Sequence, residues 1–174
     1  MKRSSSGFRL REAAADDGAA IRAVVVAVMN EYGLSSDLEG NDADVRDLVA
    51  SYRDRGGSFR VVVSSEGVIV GCGGLYPIDN REAEIRRMYL LPEARGVGIG
   101  RELLEELISV ASERRFERVV LETASVLKEA ISLYRKRGFV PAARRSTALR
   151  QCDQVYALQL GNDAPPSSRP SGSR

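Results

Sequence analysis

The chain has no histidine and only two cysteines, Cys72 and Cys152. With no CxxC pair and no Cys/His cluster, the ligand spacings of a zinc site are missing, and no metal is expected. No block of five or six like charges occurs. The 26 basic and 24 acidic side chains leave a formal net charge of +2, too near balance to imply strong non-specific attraction to nucleic acid. The longest apolar run, AVVVAVM at 23–29, is far too short to cross a bilayer, so no membrane partner is expected. The opening MKRSSSGFRLREAAADD is basic but is followed by no apolar stretch, unlike a secretory signal. A cytoplasmic protein with reduced thiols is the expectation. No internal repeat is evident.

What is present fits a single folded unit. The 174 residues are 43% hydrophobic and 29% charged, enough for one domain with its own core. Residues 1–6 read as a flexible N-terminus, 7–160 as the domain and 161–174, which lack large apolar side chains, as a disordered tail. FRLREA (8–13) predicts a strand. Residues 16–32 predict a helix capped by Asp16 or Asp17 and ended by Gly33, and 42–55 predict a second helix with Val45, Leu48, Val49 and Tyr52 on one face. The period then changes to β-branched runs at 58–65 and 68–78, joined at Glu66-Gly67 as a hairpin. A further strand is predicted at 82–91. A helix follows at 100–115, with Leu103, Leu104, Leu107, Ile108 and Ala111 as its buried stripe. Then come a strand at 117–124, a helix at 125–138 stopped by Gly138, and closing strands in FVPAA and at 153–160. Val126, Leu127, Ala130, Ile131 and Tyr134 share one face of that last helix. This order implies an α/β (α+β) mixed sheet with helices on its faces, and a right-handed parallel crossover over 82–122.

Three glycines, Gly96, Gly98 and Gly100, stand where the fourth strand hands over to a helix, in ARGVGIGREL. A helix start presents unpaired N–H groups and a partial positive charge, a ready seat for phosphate oxygens. Glycine lets an anion approach the backbone closely. The spacing is neither the dinucleotide pattern GxGxxG nor the P-loop pattern, since Arg101-Glu102 follow the last glycine.

Residues 82–141 resemble the GNAT superfamily of N-acetyltransferases. Arg95, Gly98 and Gly100 match that family's Gln/Arg-x-x-Gly-x-Gly/Ala signature, and AISLYRKRGF (130–139) matches its Ala-x-x-Leu-Tyr-x-x-x-Gly-Phe hallmark. The resemblance implies a GNAT-like, mostly antiparallel sheet of six to seven strands with about four helices, built round a β-α-β unit that binds acetyl-CoA as cosubstrate. It implies a bulge in the strand before the glycines, with Met88, Tyr89 and Leu90 pairing with pantetheine as an added strand does. Arg95, Gly96, Val97, Gly98, Ile99, Gly100 and Arg101 would hold the pyrophosphate. Tyr134 occupies the family's general-acid position beside the coenzyme sulfur, and Glu84 that of its glutamate base, with Glu82 as the competing carboxylate. Where family members frequently carry Asn, this chain has Leu127.

The implied reaction is transfer of an acetyl group to a primary amine, of a small molecule, an amino acid or a peptide or protein, by direct attack in a ternary complex. A non-catalytic acyl-CoA-binding module is the alternative. An ammonium must shed its proton first, and without histidine a carboxylate or a water chain must take it. Cys72, in VGCGGLY, reads as a small core residue. Gly71, Gly73 and Gly74 around it suggest a bulge or a close approach. The acids of 31–44 would make a lip favourable to a cationic amine, with Tyr32 and Tyr76 at the entrance. Members of the family often dimerise through the last strands, so a homodimer along 153–160 is a further expectation.

Overall fold

A computed structural model of the chain describes residues 7–35, 47, 49–143 and 152–161. Strand alternation divides the protein into two layers. In β2 (Ser58–Val63), Val61 and Val63 join one apolar cluster while Val62 joins the other. The first cluster lies under α1 (Gly18–Glu31), whose Ile21, Val24, Val25 and Met29 pack on Phe59 and Cys72. The second lies under α2 (Ile99–Glu113). Its five stripe residues are all buried against Val62, Leu75, Ala83, Ile85, Val119 and Leu121. Tyr134, from α3 (Lys128–Arg137), joins this second cluster.

Seven strands form one sheet: β1 (Arg9–Glu12), β2, β3 (Ile69–Pro77), β4 (Glu82–Leu90), β5 (Arg118–Thr123), β6 (Val140–Pro141) and β7 (Gln154–Gln159), in the spatial order β1-β2-β3-β4-β5-β7-β6. All neighbours are antiparallel except β4 and β5. Their parallel pairing is the one expected of a strand–helix–strand crossover through α2. The fold class read from the sequence is the one observed.

Several details differ. Asp17 stands at the N-cap position of α1, yet its carboxylate accepts from the Ala14 amide at 2.7 Å and pairs with Arg11. It therefore caps the 3₁₀ turn ahead of the helix. The helix expected at 42–55 falls partly outside the described residues, and Val49–Arg53 forms a single π-helical turn, with Tyr52 fully buried. α3 begins three residues later than expected, because Ser125 donates its amide to Asp153 Oδ1 at 2.7 Å in a preceding turn. Val126 is accordingly exposed and leaves the apolar face. β7 lies inside the sheet, covered by the two-residue β6 at Tyr156 and Ala157. Cys72 and Cys152 are unbridged. No helix among the described residues is long and apolar enough to cross a membrane.

Leu107 is fully buried between α2 and the sheet. Leu107→Ala should cost about 2–5 kcal/mol through lost burial and the cavity left behind. Urea titration should show a lower midpoint with an unchanged slope.

Candidate active site

The site begins with an irregularity between β3 and β4. Cys72 pairs with Tyr89 and Gly74 with Arg86, so two steps on β3 are matched by three on β4. The extra residue makes a bulge in β4, and Arg87 adopts φ 54°, rare for a side chain other than Asn, Asp or His. The Cys72 thiol donates to the Arg87 carbonyl at 3.2 Å, which gives this buried cysteine a bracing role at the bulge. A Cβ on Gly74 would meet the Tyr52 and Phe59 rings at 2.5 and 2.7 Å, so that glycine is required by packing.

Beyond the bulge, β4 parts from β5. Their ladder runs from Glu82↔Arg118 to Ile85↔Leu121 and stops, although β4 continues to Leu90. β5 carries on to Thr123 against β7 alone. A cavity of about 440 Å³ fills the fork. Met88, Tyr89 and Leu90 line one side, Leu121, Glu122 and Thr123 another, and Ala130, Leu133 and Tyr134 of α3 a third. Leu127 lines it as well, so an apolar side chain stands at the position noted for its missing Asn.

The mouth of α2 opens into the same cavity through Gly96, Gly98, Gly100 and Arg101. Gly98 is the N-cap of α2 at φ 89°, with no side-chain cap, so the first amides of the helix have no side-chain acceptor there. A Cβ on Gly96 or Gly98 would have nothing within 4 Å. Gly100 differs: its added Cβ would lie 3.1 Å from Leu90 Cδ1, so its smallness serves helix-to-strand packing. Arg95 donates Nε to the Leu90 carbonyl at 2.9 Å, and Nη1 and Nη2 to the two oxygens of Glu31 at 2.7 Å each. This bond to Arg95 holds the Glu31 carboxyl below its usual range. It also ties the end of α1 to the glycine turn.

Most of the residues read from the sequence meet here. Met88, Tyr89, Leu90, Arg95, Gly96, Gly98, Gly100, Arg101 and Tyr134 all line the cavity. Val97 is exposed and Ile99 fully buried in the core, so these two offer main chain to the turn. Tyr134 is 5% exposed, and its hydroxyl has no hydrogen-bond partner among the described residues. Burial, then Tyr89, pushes its pKa well up, which keeps the phenol protonated. Glu84 lies just behind the lining, 15% exposed and paired with Arg86 at 2.7 Å. Burial raises its pKa against the opposing charge and hydrogen bonds of Arg86. Glu82 is held by Arg118 at 2.8 Å, at the closed end of the ladder.

Sequence reasoning missed Arg87, Glu122, Thr123 and Cys152 on the cavity wall. The termination of a ladder has no local signature, and Cys152 precedes its strand in an irregular segment. Burial pushes the Cys152 thiol up to about 11, so it stays protonated near neutral pH. Tyr32 lines the cavity and Tyr76 does not. Asp37, Glu39, Asp42 and Asp44 of the expected acidic lip lie outside the described residues.

The site joins a glycine-lined helix mouth to a forked parallel strand pair, and comparison with known proteins identifies the class that it belongs to. The Acetyltransferase (GNAT) family matches residues 25–139. An uncharacterised N-acetyltransferase of Escherichia coli K12, YjgM, is 38% identical over 135 residues, covering 75% of this chain and 80% of that protein. A GNAT-family acetyltransferase structure from Staphylococcus aureus Mu50 superposes with a TM-score of 0.83 at 21% identity, over 88% of this chain and 99% of that one. YncA of Salmonella typhimurium, solved with its cofactor acetyl-CoA, gives 0.70 at 22% identity, over 94% and 99%. The chain belongs to the acetyltransferase (GNAT) family and is an acetyl-CoA-dependent acetyltransferase.

Gly98→Ala would place a side chain at φ 89°, at a conformational cost of about 1–2 kcal/mol. The loop should relax away from that geometry and misalign the helix-mouth amides. Calorimetric titration with coenzyme A should show roughly tenfold weaker binding. Gly161→Ala, with open space around it, serves as the control.

Proposed function

We propose that the chain transfers the acetyl group of acetyl-CoA to a primary amine, of a small molecule, an amino acid or a peptide, by direct attack in a ternary complex. The observation that carries this reading is the continuity of the cavity, from the bare helix mouth at Gly96–Arg101 along Met88–Leu90 to Tyr134 and Glu122. The residues fit the cosubstrate. Two glycines that a Cβ would not crowd leave main-chain amides open for a pyrophosphate, with Arg95 and Arg101 beside them. The β4 edge beyond the fork suits a pantetheine arm that pairs as an added strand does. Bound there, acetyl-CoA supplies an activated thioester.

The remaining work is proton transfer. Tyr134, kept protonated by burial, is the donor to the departing sulfur. Glu84, made more basic by burial, is the acceptor for the amine's proton. Because it stands behind Ile85 and Arg87 and off the cavity wall, a water carries the proton to it. A carboxylate base must be ionised to act, so turnover should fall as pH drops through the pKa of Glu84.

The direct test is thiol release from acetyl-CoA against a panel of amines. Acetyl-CoA should also raise the melting temperature by linkage, and no binding at about millimolar concentration would reject the proposal. Tyr134→Phe should lower kcat about 100-fold with little change in the KM for acetyl-CoA. Glu84→Gln should lower kcat more than it raises that KM, and turnover unchanged across the pH range would remove Glu84 from the mechanism.

A further inference from the structure

Alternation on β4 places Glu84 and Arg86 on one face, opposite Ala83 and Ile85 in the core under α2. Their pairing is unusual. Arginine and carboxylate commonly meet fork to fork, two nitrogens on two oxygens. Here Arg86 Nε and Nη2 both donate to the same oxygen, Glu84 Oε2, at 2.8 and 2.7 Å. Oε1 receives no hydrogen bond among the described residues.

The guanidinium is itself held in place. Its central carbon lies 3.8 Å from the centroid of the Tyr76 ring, close enough for a strong cation–π contact. Tyr76 pairs with Glu84 across β3 and β4. Its ring meets Tyr52 edge-on at 5.7 Å, and Tyr52 meets Phe59 at 4.9 Å. Tyr52 and Phe59 belong to the core under α1. A continuous line of contacts therefore runs from that core through Tyr52, Tyr76 and Arg86 to one oxygen of Glu84.

We propose that Arg86, clamped on Tyr76, is a positioning residue that fixes the Glu84 carboxylate by Oε2 and leaves Oε1 to receive the acceptor's proton. This rests on the reading of Glu84 as proton acceptor. Arg86 also sets the pH range in which Glu84 works. The charged groups acting on Glu84 are Arg86 and Arg87 of its own strand and Glu122 of β5. The titratable Tyr76 of β3 stands opposite it, and the Cys152 thiol ahead of β7 senses both carboxylates. Burial and Glu122 favour the protonated acid, while Arg86 is the first of the groups opposing them. Without Arg86, Glu84 takes up its proton at higher pH and stops accepting one.

The test is the pH profile of kcat/KM for the acceptor at saturating acetyl-CoA. Arg86→Gln should lose roughly tenfold at about pH 6 and less than about threefold at about pH 9, an acid limb moved to higher pH. Arg86→Lys, which keeps the charge, should recover part of that loss. Tyr76→Leu should move the limb the same way, and Tyr76→Phe, which keeps the ring, should move it less. Thermal melts identify any variant that fails to fold, and the Lys and Leu variants then carry the test. An equal loss at every pH, or a raised acceptor KM with the limb in place, overturns the proposal and makes Arg86 structural or an acceptor contact. Full activity and an unchanged limb in Glu84→Gln instead overturns the assignment of Glu84 itself.

Discussion

One surplus residue in β4 governs the site. A strand that matches both neighbours residue for residue has no reason to leave either. The added residue opposite β3 turns Arg87 to a positive φ and sharpens the local twist. The ladder to β5 has ended two residues earlier, at Ile85. A backbone kink of this kind persists only when its surroundings hold it. Cys72 braces the Arg87 carbonyl, and Gly74 makes room for the Tyr52 ring and for the ring of Phe59 on the facing strand β2. Bulge, fork and cavity thus meet within one short stretch of β4.

At the other end of the fork the constraint is electrostatic. The helix mouth attracts anions, and Arg95 reinforces it while bound to a carboxylate already. A guanidinium has five N–H donors. Arg95 uses one on the Leu90 carbonyl and two on Glu31. Two remain, so the same side chain can brace α1 against the glycine turn and still face an incoming phosphate. The end of α1 and the glycine turn, proposed here as the seat of the coenzyme, are thus fastened through one residue.

Much of this was legible in the sequence, for reasons tied to particular residues. The stripe of Leu103, Leu104, Leu107, Ile108 and Ala111 repeats with the helix itself, so α2 could be read and placed. Gly138 at φ 102° ends α3 where a glycine stop was expected. The glycine turn and AISLYRKRGF are local patterns. What escaped depends on pairing between distant segments. The surplus residue in β4 exists only relative to β3. Glu122 and Cys152 reach the cavity because β5 outlasts its ladder with β4. Val97 and Ile99 illustrate a finer limit: a motif names positions, but the turn leaves the Val97 side chain in solvent while the first residue of α2, Ile99, is buried in the core. The Glu84–Arg86 pair stood in the sequence as a two-residue spacing on one strand, but the Tyr76 ring that orients it comes from the neighbouring strand.

The two groups assigned to proton transfer come from opposite sides of the sheet. Tyr134 packs in the layer with α2 and α3, whereas Glu84 points by alternation to the layer with α1. Across an unbroken sheet they could not serve one reaction, because a hydrogen-bonded ladder is a continuous wall. The parting of β4 and β5 breaches that wall just past Ile85, so in the proposed mechanism a water can link Tyr134 on the cavity wall to Glu84 behind it. Burial then acts on both in the same direction with opposite chemical effect. It keeps the phenol protonated, and hence a donor, while it makes the carboxylate a better acceptor. A single physical term thus separates acid from base, and only the carboxylate, whose ordinary range lies below neutral pH, needs a neighbouring cation to stop burial from neutralising it.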